Sequence, residues 1–275
     1  MFQYAIGRSV AERAGAKLFL DSSWIEQHPG GRYELESFGL ATELLHVRRI
    51  ARLRASTRRR RLIQRLRPSP RPFLQVIEEP SDFAFEPRVL EAEDRTYLTG
   101  YWQREDYFAR HEEQIRSDFA FPEPSAESAA LAAQIQQAPA VSVHVRRGDY
   151  AGGAASRQMG TLEPDYYRRA VGRIAAEVGA VQLFLFSDDF AWCRANLAFV
   201  HPTVPVEREL GPERAYEDMQ LMSHCRHHVI ANSSFSWWAA WLDASPAKLV
   251  VAPKQWFRDP RLNAQHVLPP AWVRL

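Results

Sequence analysis

The segment Val141-Ser-Val-His-Val-Arg-Arg-Gly-Asp-Tyr150 places His144, Arg146, Arg147 and Asp149 within six residues of one another. Val141, Val143 and Val145 alternate with Ser142, His144 and Arg146, a period of two. That pattern predicts a strand with one apolar and one polar face. Gly148 then turns the chain. Two guanidiniums at a strand end suit a diphosphate, because arginine offers charged, paired donors. The same spacing also fits a strand end whose arginines are solvated or paired with surface acids. If the strand persists, Arg146 shares a face with His144 and Arg147 points the other way. One arginine should then meet phosphate and the other brace the structure.

A second segment adds to this. His227-His-Val-Ile-Ala231 reads as a short strand, Asn232-Ser-Ser234 follows, and Phe235-Ser-Trp-Trp-Ala-Ala-Trp-Leu242 reads as a helix. Ser233 or Ser234 suits the N-cap. Backbone N–H groups at such a helix start, with the hydroxyls, favour an anion. Taken together the two segments resemble the inverting α1,2-fucosyltransferases of glycosyltransferase family 11. That family carries an H-x-R-R-G-D-Y segment and, later, an N-S-S/T-F-S-x-W-x-x-x-L segment. Met1-Phe-Gln-Tyr-Ala-Ile-Gly7 is similar to the family's M-F-Q-Y-A-x-G, so the likeness runs from residue 1 to the region of Pro253.

The resemblance implies transfer of L-fucose from GDP-fucose to the 2-hydroxyl of a β-galactoside. It also implies an α/β, GT-B-like architecture of two Rossmann-type domains with the donor site in the C-terminal one. GDP leaves carrying negative charge, which a metal or protein donors must offset. No D-x-D and no metal-ligand spacing occurs in the sequence, so the expectation is metal-free transfer with no cofactor. Arg146 is the expected substitute for the metal. It is aided by Arg147 and the Asn232, Ser233, Ser234 and Phe235 segment, with His144 contacting nucleotide or fucose. His144 also reads as a core histidine bonded to backbone. Related fucosyltransferases place an acid at the position of Asp218, where a carboxylate accepts from both N1–H and the amino group of guanine. Asp218 reads equally as a solvated helix acid. Asp149, the nearest acid to the arginines, is the first candidate for catalytic base. It also reads as a structural acid bonding turn amides. Trp237, Trp238 and Trp241 read as core.

These residues need elements to bring them together. Residues 2–14 predict a helix ended by Gly15, followed by a strand at 17–21. Residues 41–67 have helical propensity and are strongly basic. Strands are expected at 73–77 and 97–102, then a helix over 103–118 and another over 126–137. The second half alternates strands (141–145, 183–186, 227–231, 248–252) with helices (163–177, 214–225, 235–242), which predicts a parallel sheet with right-handed crossovers. Ligands of such sheets bind outside the carboxyl ends of the strands. The polar groups at 146–150, 187–189 and 232–234 all fall there, so Asp188 joins the expected donor set. The boundary is placed near residue 138, giving an acceptor-side domain over 1–138 and a GDP-fucose-binding domain over 139–275.

A length of 275 residues with 46% apolar and 25% charged residues sustains a real core. The net charge of +2 implies no globally acidic or basic partner. Cys193 and Cys225 lack metal spacing and read as buried thiols in a reducing compartment. No signal peptide opens the chain and no apolar run is long enough to span a bilayer. The expectation is a cytoplasmic protein. Eleven arginines between Glu43 and Glu78, with no acid among them, suggest peripheral attachment to the inner face of an anionic membrane. A nucleic-acid role lacks interleaved aromatics and any reader motif. Two other classes stay open: a degenerate binder of GDP-sugar without turnover, and a basic surface-binding protein. Family members also start with a strand and a G-G-L-G-N-Q loop before M-F-Q-Y-A. Met1 is the methionine of that segment, so a late start or a truncated product is expected.

Overall fold

The computed structural model describes residues 1–27, 32–40, 42–45, 75–151, 154–262 and 264–275. The chain divides into two compact units, Met1–Ala120 and Phe121–Leu275. The arginine-rich stretch 48–71 lies outside the described residues.

The first unit opens with the helix Phe2–Ala14, closed by Gly15 at φ 59. Glycine takes that left-handed turn without a Cβ penalty. Strand β1 (Phe19–Asp21) pairs in parallel with β2 (Glu43–Leu45). Helical propensity over 41–67 is therefore overridden at 43–45 by strand pairing. A second parallel pair joins β3 (Gln75–Glu78) to β4 (Thr96–Thr99). The helix expected over 103–118 is broken. Two 3-10 turns, Glu105–Tyr107 and Ala109–His111, precede the helix Glu112–Asp118. Adjacent Tyr107 and Phe108 are both buried, and Phe108 leaves helical geometry at φ −136, ψ 4.

The second unit holds a six-stranded, all-parallel sheet. Its strands are β5 (Ala140–Val145), β6 (Gln182–Ser187), β7 (Thr203–Pro205), β8 (His227–Val229), β9 (Val250–Ala252) and β10 (Val273–Arg274). The order is β10-β9-β8-β5-β6-β7. The sheet grows from β5 through β6 to β7 on one side, then restarts with β8 on the other. That is the Rossmann order, with its switch point between β5 and β8. It is the α/β arrangement expected of the donor half of a GT-B-like chain.

Helix Ala126–Gln137 belongs to this unit, which is why the units part at Ala120 rather than at 138. Its cap Ser125 and its Ser128 both donate to Glu217 of the helix Ala215–Ser223. The helix Pro164–Val178 packs Tyr167, Ala170, Val171 and Ile174 on Val141, Val143, Leu183 and Leu185. Each such fully buried aliphatic side chain contributes about 1.5–3 kcal/mol. β5 is buried on both faces, not on one as its alternation suggested. On its second face Ser142 is satisfied inside. Ser142 Oγ meets His228 Nδ1 at 2.9 Å, and His228 Nε2 meets Asp243 Oδ2 at 3.0 Å. Trp237, Trp238 and Trp241 are core, as expected.

Candidate functional site

The switch point brings together the end of β5, the end of β6 and the turn after β8. Beyond Val145 the chain leaves the sheet, and Arg146 and Arg147 separate. The Arg147 guanidinium lies 4.0 Å from the ring centre of Trp192, and its Nε is 3.5 Å from Asp189. Its side chain is 18% exposed, so Arg147 braces the end of β6. Arg146 is 36% exposed, with Nε 3.2 Å from Asp188 Oδ2 and its guanidinium 5.7 Å from the Tyr150 ring centre. Arg146 is thus the better placed of the two to meet a ligand.

Asp188 is committed within the protein. Its Oδ1 accepts from Arg147 N–H at 2.8 Å and its Oδ2 from Gly148 N–H at 3.1 Å. It holds the turn that presents Arg146. Gly148 leaves room for this approach, because a Cβ there would stand 2.8 Å from Asp188 Oδ2 and the carboxylate would have to shift. Asp189 caps the helix Phe190–Asn196 by accepting from Trp192 N–H. Asp149 lies on the helical turn Gly148–Ala151, and its side chain is outside the described residues.

After β8, Ser233 caps the helix Ser234–Leu242 by accepting from Phe235 N–H at 3.3 Å. Ser234 is exposed and Phe235 half-buried. The helix therefore offers unpaired N–H groups and the positive end of its dipole beside Arg146's strand. The His144 ring sits 5.7 Å from that of Phe235. Burial, and next the Arg146 charge, push its pKa down to about 3. The ring is neutral at physiological pH, and buried Nδ1 has no hydrogen-bond partner among the described residues. Its Nδ1 is therefore not the atom through which a core histidine would be bonded to backbone. Asn232 is 1% exposed, and its amide nitrogen donates to the carbonyls of Met159 (2.9 Å), Gly160 (3.2 Å) and Trp256 (3.2 Å). It clamps two loops against the start of the helix.

Asp218 sits in the first turn of the helix Ala215–Ser223, which packs against Ser234–Leu242. It is not a freely solvated helix acid. Arg208, whose side chain is 3% exposed, donates to Asp218 Oδ1 and, at 2.5 Å, to Ser128 Oγ. Burial raises the Asp218 carboxyl and Arg208 opposes the rise. Asp218 keeps 32% of its side chain exposed. Its neighbour Glu217 is buried and held at about 2, chiefly by the hydrogen bond from Arg214. Sequence reasoning missed Trp192, Arg208 and the Ser142–His228–Asp243 chain. Each acts through a partner distant in sequence, so only the polar face of β5 hinted at any of them. Among the described residues there is no cluster of three metal-binding side chains, and no helix is long and apolar enough to cross a membrane. Cys193 and Cys225 are buried and unpaired with each other.

Comparison with known proteins identifies a family. The model of glycosyl transferase family 11 matches residues 84–275. The alpha-1,2-colitosyltransferase of Escherichia coli is 33% identical over 64% of this chain and 61% of its own length. The O-antigen biosynthesis glycosyltransferase WbnK of Escherichia coli is 37% identical over 51% of this chain and 46% of its own. The galactoside 2-alpha-L-fucosyltransferase SEC1 of Bos taurus is 34% identical over 37% and 28%. The chain thus spans less than two thirds of the length of these relatives.

Proposed function

We propose that this chain, which belongs to glycosyl transferase family 11, moves L-fucose from GDP-fucose to the 2-hydroxyl of a β-galactoside with inversion. The observation that carries the reading is the coincidence of the half-exposed Arg146 and the start of the helix Ser234–Leu242 at one switch point. Departing GDP develops charge on its β-phosphate. Arg146 offers fixed charged donors there, turned outward by Asp188. The N–H group of Ser234 adds the helix end. Donors already fixed in place need no reorganisation as the charge appears, so such groups are effective in the transition state. Transfer proceeds without a metal or cofactor in this account, because the protein's own donors meet the diphosphate. His144, neutral and with a buried nitrogen unpartnered among the described residues, takes one hydrogen bond from the nucleotide-sugar or gives one to it. Asp218 reads guanine with the carboxylate edge left exposed beside Arg208. Inversion requires the acceptor hydroxyl to lose its proton on the face opposite GDP. Asp149 is our candidate for that base.

The proposed partners are GDP-fucose and a β-galactoside glycan, with no nucleic acid. The eleven arginines of 48–71 would attach the enzyme to the anionic inner face of the cytoplasmic membrane. Two of the relatives' names share the α1,2 linkage but differ in the sugar moved, colitose or fucose. A deoxy-sugar donor related to fucose is therefore the second reading. Incubation with GDP-fucose and lactose in excess EDTA, with the product linkage read by NMR, tests the first. A 2-O-α-fucosyl product is expected. Absence of transfer with and without added manganese would refute the fucosyl-transfer reading, and transfer that EDTA abolishes and manganese restores would refute the metal-free mechanism.

A further inference from the structure

The first unit carries a constrained aromatic turn that the donor chemistry does not use. β3 and β4 run parallel and finish together, β3 at Glu78 and β4 at Thr99. The chain then makes an unusual bend at Gly100-Tyr101-Trp102. Trp102 adopts φ 58, and across the turn Phe83 adopts φ 60. Both are left-handed conformations that bulky side chains avoid. Such strain persists only where surrounding structure over-determines it, and it concentrates at functional sites.

The over-determination is visible. Glu79 accepts from Tyr101 N–H at 2.7 Å and from Trp102 N–H at 2.9 Å, one on each carboxylate oxygen. Gly100, at φ 156, leaves room for this, since a Cβ there would stand 2.4 Å from that of Glu79. Gln3 donates to the Gly100 carbonyl at 3.1 Å. Trp102 is 1% exposed and anchors the turn in the core. Tyr101, held between these fixed points, is 63% exposed. Its ring lies 5.9 Å from that of Phe83. The amide of Gln103, two residues on and half-buried, makes no side-chain hydrogen bond to another described residue. The result is a rigid backbone that presents a large aromatic ring to solvent, with an uncommitted amide close by in sequence.

We infer that Tyr101, backed by Phe83, is a stacking platform for the acceptor sugar, taking the apolar face of a galactopyranoside. The choice of sugar rests on the proposed function; the platform rests on the turn. A galactopyranoside suits the ring because its axial 4-hydroxyl leaves the C–H bonds at C3, C4 and C5 bare on one face. Those C–H bonds pack on a π-face, while the hydroxyls at the rim need polar partners such as Gln103. Fixing the ring in advance lowers the entropy lost on binding, which is the benefit to set against a strained turn.

The test uses the full chain and does not need turnover. Saturation-transfer NMR with methyl β-galactoside should show strongest transfer at H3, H4 and H5. Tyr101→Ala should weaken that binding about tenfold, and Tyr101→Trp should restore it. The thermal shift given by GDP should be the same in all three proteins, since GDP is proposed to bind the second unit. Tyr101 is exposed, so its removal leaves the core intact. Undiminished galactoside binding by Tyr101→Ala, or no galactoside binding by the parent chain, would overturn the platform. Failure of GDP to shift the melting of the parent would instead count against the proposed donor reading. The two failures are thus distinguishable.

Discussion

At the scale of single residues, the two adjacent arginines have different work. Arg147 is stacked on Trp192 and braced by Asp189, whereas Arg146 is turned outward by Asp188. Arg146→Ala should lower kcat by about a hundredfold to a thousandfold with little change in melting temperature. Arg147→Ala should instead lower the melting temperature, because a cation–π contact and the side chain's packing are lost; steady-state kinetics beside a thermal melt separates the two. Gly148→Ala should mimic a weaker Arg146→Ala, since its Cβ would displace the Asp188 carboxylate that orients the turn. Asp218→Asn keeps the size of the side chain but replaces an acceptor oxygen with a donor amide. Its affinity for GDP should fall by about 1–3 kcal/mol. Calorimetry giving equal affinity in mutant and parent would remove Asp218 from the site.

At the scale of elements, the account depends on β5, β8 and the helix that follows β8. Most of this was legible in sequence. Gly15 and Gly179 ended helices where expected, and Pro164 started one. The continuous apolar run 183–186 announced a strand covered on both faces. The alternation in β5 was read correctly as a strand but misjudged in burial. Ser142 and His144 are buried polar residues, and the partner of Ser142 comes from another strand. Strands of two or three residues, such as β7 and β10, are too short to leave a period at all. The short strand at 43–45 was hidden under helical propensity, because pairing with β1 decides it. Whether each candidate site residue faces solvent or is committed within the protein depends on contacts that no local pattern encodes. Asn232 and Asp188 are the clearest cases. At the helix start, Ser233→Ala should cost about 1 kcal/mol of stability through loss of the cap. A larger loss in GDP affinity than in stability would indicate that the serine also meets phosphate.

At the scale of the whole molecule, the buried ionisable groups set a pH dependence. Glu217 is held at about 2, below its usual 4.5, by Arg214 first of all. A depressed carboxylate contributes stability that is full above the unfolded value and is lost as pH falls through the folded one. That loss should therefore run from about pH 4.5 down to about 2. His144 works in the same direction for another reason. Buried neutral and depressed from 6.5 to about 3, it opposes folding as the unfolded chain protonates, so its contribution declines below pH 6.5. Urea denaturation at a series of pH values should show stability falling in both windows, and Glu217→Gln should flatten only the lower one. The chain divides at Ala120 into two compact units.

The central claim is that the switch point of the second unit binds a guanosine diphosphate without metal, through Arg146. Titration calorimetry of GDP into the parent chain and into Arg146→Ala, both in EDTA, addresses it most directly. The account predicts saturable, one-to-one binding by the parent, weakened about tenfold to a hundredfold in the variant as one charged hydrogen-bonding partner is removed. Absence of binding by the parent, or equal affinity in the two proteins, would contradict it.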